Sequence, residues 1–164
     1  MFHMFDDRAR AVALMLLLPL LAGGLGGCAS TPAARPTVAA ASGPVASQAA
    51  SAALEQLGIP YRYGGADRSG FDCSGLIYYS YANAGKAVAR TTGGLWQTLE
   101  PISANKLQVG DVLFFNIEGK MSHVGMYIGE RRFVHSPATG RTVSIESLDS
   151  DFYRLAFIRG GRAR

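Results

Sequence analysis

Cysteine is almost absent from this chain: 164 residues hold two, Cys28 and Cys73. So few thiols exclude a disulfide-stapled scaffold and the paired cysteines of structural zinc sites. Tryptophan occurs once and histidine three times, at His3, His123 and His135, so proton-transfer chemistry near neutral pH has few candidate side chains. Charged residues make up only 17% of the chain and apolar ones 48%, a balance that excludes disorder as the overall state. The length allows one well-buried core and is too short for two. A membrane-spanning helix needs roughly 20 apolar residues. The run from Ala11 to Leu25 is shorter and is interrupted by Pro19. No internal repeat or coiled-coil heptad occurs.

What is there begins with a leader. Arg8 and Arg10 precede the apolar run, which closes on the small residues Leu25-Gly26-Gly27-Cys28. That order reads as a secretory signal rather than a membrane span. The tetrad resembles the lipobox of bacterial lipoproteins, which implies cleavage after Gly27 and lipid on Cys28. Residues 1–27 are then a signal peptide. Ala29 after the lipobox cysteine resembles the pattern sorted to an outer membrane, so the expected location is the envelope, lipid-anchored and facing the periplasm. Lipidation of Cys28 leaves Cys73 as a free thiol in an oxidising compartment, where its retention asks for a chemical reason. The net charge of +4 could indicate a nucleic-acid partner. Export argues against one. The charge is read as a solvated surface, with residues 161–164 as a frayed basic tail.

Residues 28–46 are rich in Ala, Pro, Ser and Thr and cannot bury a core, so they read as a tether reaching roughly 20 to 25 Å as a coil. Folding signals run from 47 to 160. Ser47 is a candidate N-cap for an Ala-rich helix through Leu54 and Leu57, with Gly58 as its terminator. Tyr61 to Gly70 reads as a loop, and Asp72 as the N-cap of a helix of about a dozen residues that Gly85 closes. Around Gly93, Gly94 and Trp96 the pattern reads as loop plus a short helical turn. After Gly110 it changes to strands: Val112 to Phe115, His123 to Ile128, Arg132 to Ser136, Thr142 to Ile145 and Leu155 to Ile158. Helices first and strands afterwards indicate an α+β domain, with an antiparallel sheet covered by the Cys73 helix.

Three groups carry chemistry. In Phe71-Asp72-Cys73-Ser74-Gly75-Leu76 the thiol sits in the first turn of a capped helix, where free N–H groups and the helix dipole favour thiolate and lower its pKa. In Ser122-His123-Val124-Gly125-Met126-Tyr127 strict alternation puts His123 on one sheet face with Gly125, whose missing side chain leaves room for an imidazole to reach a thiol. Phe133-Val134-His135-Ser136 follows through a short hairpin. An odd-numbered loop puts His135 on the face of His123, as an orienting partner for that base; a two-residue loop puts it on the other.

With Pro60-Tyr61-Arg62-Tyr63-Gly64-Gly65 added, these segments resemble, in order, the NlpC-type family of papain-like cell-wall peptidases, over roughly Ser47 to Ile158. The resemblance implies a papain-like fold and a Cys-His-polar triad: Cys73 as nucleophile, His123 as base and His135 as third residue. It also maps Tyr61 to the oxyanion region and Ser74, with Asp72, to substrate binding; Arg90-Thr91-Thr92 would form packing or cleft wall. The implied substrates are peptidoglycan stem peptides, cut at D-glutamyl to diaminopimelate or D-alanyl to diaminopimelate bonds. A monomer with no cofactor or metal is expected, joined to the membrane only through its lipid. The competing readings are a zinc-dependent amidase built on Cys73, His123 and His135, and an envelope-binding lipoprotein without turnover.

Overall fold

The computed structural model describes residues 43–164. Signal, lipobox and most of the tether lie outside the described residues. Among these, no helix is long and apolar enough to cross a membrane.

The first helix, α1 (Pro44–Leu54), starts three residues before Ser47. Proline's fixed φ suits the first helical turn, where its missing N–H costs nothing. Ser47 is therefore inside the helix, and its hydroxyl donates back to the Gly43 carbonyl at 3.3 Å instead of capping. Ala46, Ala49, Ala50 and Ala53 recur at helical spacing and are all buried. Such small side chains let α1 lie close to its neighbours. The helix ends at Leu54, short of the Leu57 expected from its periodicity.

A two-stranded hairpin follows, β1 (Ala66–Asp67) with β2 (Gly70–Phe71), and leads directly into α2 (Cys73–Asn83). The Gly93-Gly94 segment, expected as loop plus a short helical turn, forms α3 (Thr92–Thr98), capped by the Thr91 hydroxyl accepting from Gly94 N–H at 3.1 Å. Then come β3 (Glu100–Ile102), β4 (Val112–Ile117), β5 (Lys120–Gly129), β6 (Arg132–His135) and β7 (Ser144–Ser147). The stretch expected as a strand from Leu155 is split. Its start belongs to α4 (Asp151–Ala156), capped by Ser150, and β8 (Phe157–Arg162) begins after it.

Six strands form one antiparallel sheet in the order β3-β8-β4-β5-β6-β7. Alternation along the strands divides the core. Val112, Phe114, Val124, Met126 and Val134 face Leu76, Ile77 and the α1 alanines, while Leu113, Phe115 and Phe133 face Tyr153 and Ala156 of α4. Both faces of the sheet are thus covered, where the sequence pattern foresaw helices on one. The supposed basic tail is partly sheet: Gly161 pairs with Pro101 and Val112, and Arg162 forks onto the fully buried Asp111 carboxylate at 2.7 and 2.8 Å.

Candidate active site

Cys73 opens α2 because Asp72 caps it, one carboxylate oxygen accepting from Gly75 N–H at 2.6 Å. The approach is close enough that a Cβ on Gly75 would run into the Gly65 carbonyl oxygen. Arg90 fixes this turn from outside, reaching both Asp72 oxygens at 3.0 and 2.9 Å, the Ser74 hydroxyl at 3.1 Å and the Gly65 carbonyl at 3.0 Å. Gly64 N–H also donates to Asp72, at 3.0 Å. Asp72 and Ser74 are consequently engaged by the protein itself. Ser74 is buried, and neither residue is among those lining the cleft beside Cys73.

His123 and His135 come from adjacent strands, and their relation turns on one residue. The β5–β6 connection is the two-residue turn Glu130-Arg131, both at positive φ (50° and 54°), which in a regular hairpin puts the histidines on opposite faces. The pairing Gly129↔Arg132 is followed, however, by Tyr127↔Phe133 and Met126↔Val134. Ile128 is the extra residue of a bulge. It restores the parity that an odd loop was expected to supply, and the shifted register brings His135 opposite Gly125, diagonal to His123. The space at Gly125 is taken by Phe133, whose ring carbon lies 2.5 Å from where a Cβ would be, so the glycine admits an aromatic edge and not the imidazole.

The outcome is a direct contact: His123 Nε2 and His135 Nδ1 are 2.8 Å apart. Nδ1 of His123 is left for a thiol. To work as a base there, His123 carries its proton on Nε2 and donates it to His135 Nδ1, which puts the hydrogen of His135 on its own Nε2. That nitrogen is buried and has no hydrogen-bond partner among the described residues. The rings of Phe133 and Tyr153 pack against the His135 imidazole at interplanar angles of 67° and 86°, their centroids 5.0 and 5.4 Å from its own. Ser136 completes the assembly. Its hydroxyl donates to the Phe71 carbonyl at 2.7 Å, tying the end of β6 to the chain that enters Cys73.

Cys73, His123 and Tyr61 line one cleft of about 340 Å³, with Ser122, Arg141 and Tyr153. A larger groove of about 570 Å³, between Lys86–Ala89 and Arg162–Arg164, holds neither the thiol nor either of these imidazoles. Cys73 Sγ lies 3.9 Å from the Thr92 hydroxyl and 4.0 Å from the Ser122 carbonyl. Burial pushes the thiol up; the N–H groups of Val124 and Ser74 and the Thr92 hydroxyl only partly oppose this, and the Asp72 carboxylate adds to it. The cap that makes the helix thus cancels part of the dipole expected to favour thiolate. Burial pushes His123 down to about 4 and, with the His123 and Arg141 charges, His135 down to about 3. The resting site holds a neutral thiol beside a neutral imidazole chain. Tyr61 is pushed up by burial and by the Cys73 and Asp72 charges, so it presents a protonated hydroxyl to the cleft. Among the described residues no three His, Cys, Asp or Glu side chains come together as metal ligands.

A protein-family model described as NlpC/P60 family matches residues 58–162. The chain belongs to the NlpC/P60 family. Its relatives include murein DD-endopeptidase MepH of Escherichia coli, 38% identical over 115 residues covering 66% of this chain and 42% of that protein. Another is the gamma-D-glutamyl-L-lysine dipeptidyl-peptidase of Bacillus subtilis, 36% identical over 59% of this chain and 34% of that one. The chain therefore spans less than half the length of these curated relatives. Among solved structures, an NlpC/P60 family protein from Bacillus cereus superposes with a TM-score of 0.68 at 32% identity, covering 71% of this chain and 39% of that one. The NlpC/p60 domain of the peptidoglycan hydrolase SagA gives 0.63 at 28% identity, covering 72% of this chain and 98% of that one. The NlpC/P60 domain thus carries the α+β architecture read from the sequence, and the matched segment holds every cleft residue named above.

Proposed function

We propose that this protein is a cysteine endopeptidase that hydrolyses amide bonds in peptidoglycan stem peptides or their cross-links. The observation that carries the reading is the imidazole chain His123–His135 at 2.8 Å, opening on the same cleft as a helix-terminal thiol. As Sγ attacks the carbonyl, His123 Nδ1 takes the thiol proton, and the resulting imidazolium is held through Nε2 by His135. Backbone N–H groups at the start of α2 and the Tyr61 hydroxyl serve the developing oxyanion. His123 then returns the proton to the departing amine, and water, deprotonated by the same imidazole, releases the thioester.

Family membership and relatives named for murein and gamma-D-glutamyl bonds support the substrate class. The test is to incubate the protein and its Cys73→Ala variant with diaminopimelate-containing wall fragments and read products by mass spectrometry. Cleavage by wild type alone is expected, and the product masses distinguish D-glutamyl from D-alanyl bonds. A folded wild type that leaves every fragment intact overturns the proposal in favour of an envelope-binding protein.

The same proposal includes lipid on Cys28 and attachment to the envelope, at the outer membrane facing the periplasm, supported by the lipobox and by Ala29. Metabolic labelling with an alkyne-bearing palmitate, followed by membrane fractionation, is expected to mark wild type and not Cys28→Ala.

A further inference from the structure

Among the residues lining the cleft beside Cys73 one carries a formal charge, and the peptidase mechanism does not use it. Arg141 lines the cleft with Tyr61, Ser122 and Tyr153, and no carboxylate shares that lining. Its surroundings set it apart from the other arginines. Arg90, Arg131, Arg132, Arg162 and Arg164 each hold a carboxylate at 2.9 Å or less, whereas Arg141 stands 3.8 Å from Glu146, beyond hydrogen-bond reach. Its guanidinium makes no hydrogen bond among the described residues, and its side chain is 64% exposed. Its five N–H donors therefore have no protein acceptor within hydrogen-bond distance among the described residues. An exposed ion pair at such a separation is weak and screened by water, so leaving Glu146 costs little.

The main chain at Arg141 is fixed even though its side chain is not. Its carbonyl accepts from Tyr61 N–H at 2.8 Å, and the neighbouring Thr142 bridges Pro60. The free fork is thereby registered against the tyrosine that shares the cleft with Cys73. A guanidinium matches a carboxylate with two parallel hydrogen bonds, and does so poorly with a neutral amide.

We propose that Arg141 is a specificity-determining residue that receives a free carboxylate of the substrate close to the scissile amide. This rests on the reading of the protein as a stem-peptide hydrolase and names what it selects. A stem peptide carries such carboxylates on D-glutamate and on diaminopimelate, and amidation of either removes the charge. The site accordingly discriminates free stems from amidated ones.

The experiment separates recognition from turnover by measuring binding in the Cys73→Ala background of the full chain. Calorimetric titrations compare three synthetic stem peptides: unmodified, amidated on the D-glutamate carboxyl, and amidated on the diaminopimelate carboxyl. With Arg141 present, one amidated peptide is expected to bind about tenfold more weakly than the unmodified one, which identifies the carboxylate received. Adding Arg141→Ala is expected to erase that difference by weakening only the charged ligand, and Arg141→Lys to keep part of it. Equal binding of all three peptides overturns the inference. Equal losses for charged and amidated peptides on Arg141→Ala overturn it too, because they report altered cleft structure. Either result leaves the peptidase reading to stand on cleavage by the wild type. No binding of any stem overturns the inference, and joined to absent cleavage it overturns that reading as well.

Discussion

Burial of the two histidines governs how this NlpC/P60 domain responds to acid. Both imidazoles have folded-state pKa values of about 4 and 3, below the ordinary 6.5. Two consequences follow with definite sign. The base form of His123 persists well below pH 6.5, so kcat/KM on a stem peptide is expected to hold to about pH 5 before falling; an acid limb at 6.5 or above contradicts the burial. Stability behaves oppositely to activity over that window. The unfolded chain binds protons on both histidines as pH drops through 6.5 while the folded chain does not, so stability is fully present above 6.5 and declines towards pH 4. Melting temperature is expected to drop between pH 7.5 and 5, and the drop to shrink in His135→Phe. The types and order of Cys73, His123 and His135 were legible in the sequence, since helix-cap and alternation patterns are local. The thiol's electrostatics were not, because the same Asp72 that signals a helix start sits close enough to oppose the thiolate.

Among elements, the β5–β6 hairpin shows why parity defeats local reading. Glu130-Arg131 is a two-residue turn, the case that separates the histidines by face, and only the bulge at Ile128 reunites them. Gly129, at a positive φ of 93°, is the residue type a bulge favours, but a glycine beside a turn does not say that Ile128 is the extra residue, which packing on both sheet faces sets. Deleting Ile128 is expected to turn His135 to the opposite face and reduce cleavage at least 100-fold, on the order of an orienting residue's contribution. Inserting one glycine between Glu130 and Arg131 in that variant is expected to restore the contact and part of the rate. Recovery is read by product formation, with circular dichroism confirming the sheet in both variants. Helix α4 went unread and strand β8 was read two residues early for a related reason: Leu155 to Ile158 is apolar, but the Ser150 cap begins a helix that consumes its first half, and the strand runs on to Arg162. Arg141 likewise left no signal in sequence, as its unpaired state depends on how far Glu146 stands away.

For the whole molecule, the boundary at the C-terminal side carries the largest energetic consequence. Asp111 is fully buried, and its charge is matched by the Arg162 fork and the Gln108 N–H. Removing the cation alone leaves a buried carboxylate without its counter-charge, a loss of about 3 to 5 kcal/mol by precedent for broken buried pairs. Arg162→Ala is expected to lower the urea midpoint accordingly, whereas Arg154→Ala, whose partner Asp151 is almost wholly exposed, is expected to move it hardly at all. The charge pattern of residues 159–164 resembled a frayed tail because isolated arginines beside glycines look alike whether solvated or paired. Sheet order decides between the two, and sheet order is non-local.

That order also fixes when the sheet can close. β8, last of the described strands to leave the ribosome or a translocation pore, inserts between β3 and β4, so the sheet has a gap until residue 162 has arrived. Thiol and histidines all emerge earlier, on α2 and on the paired strands β5 and β6, but until β8 arrives β4 is an open edge and β3 has no partner strand. Closing the sheet therefore waits for β8, well after Cys73, His123 and His135 have emerged.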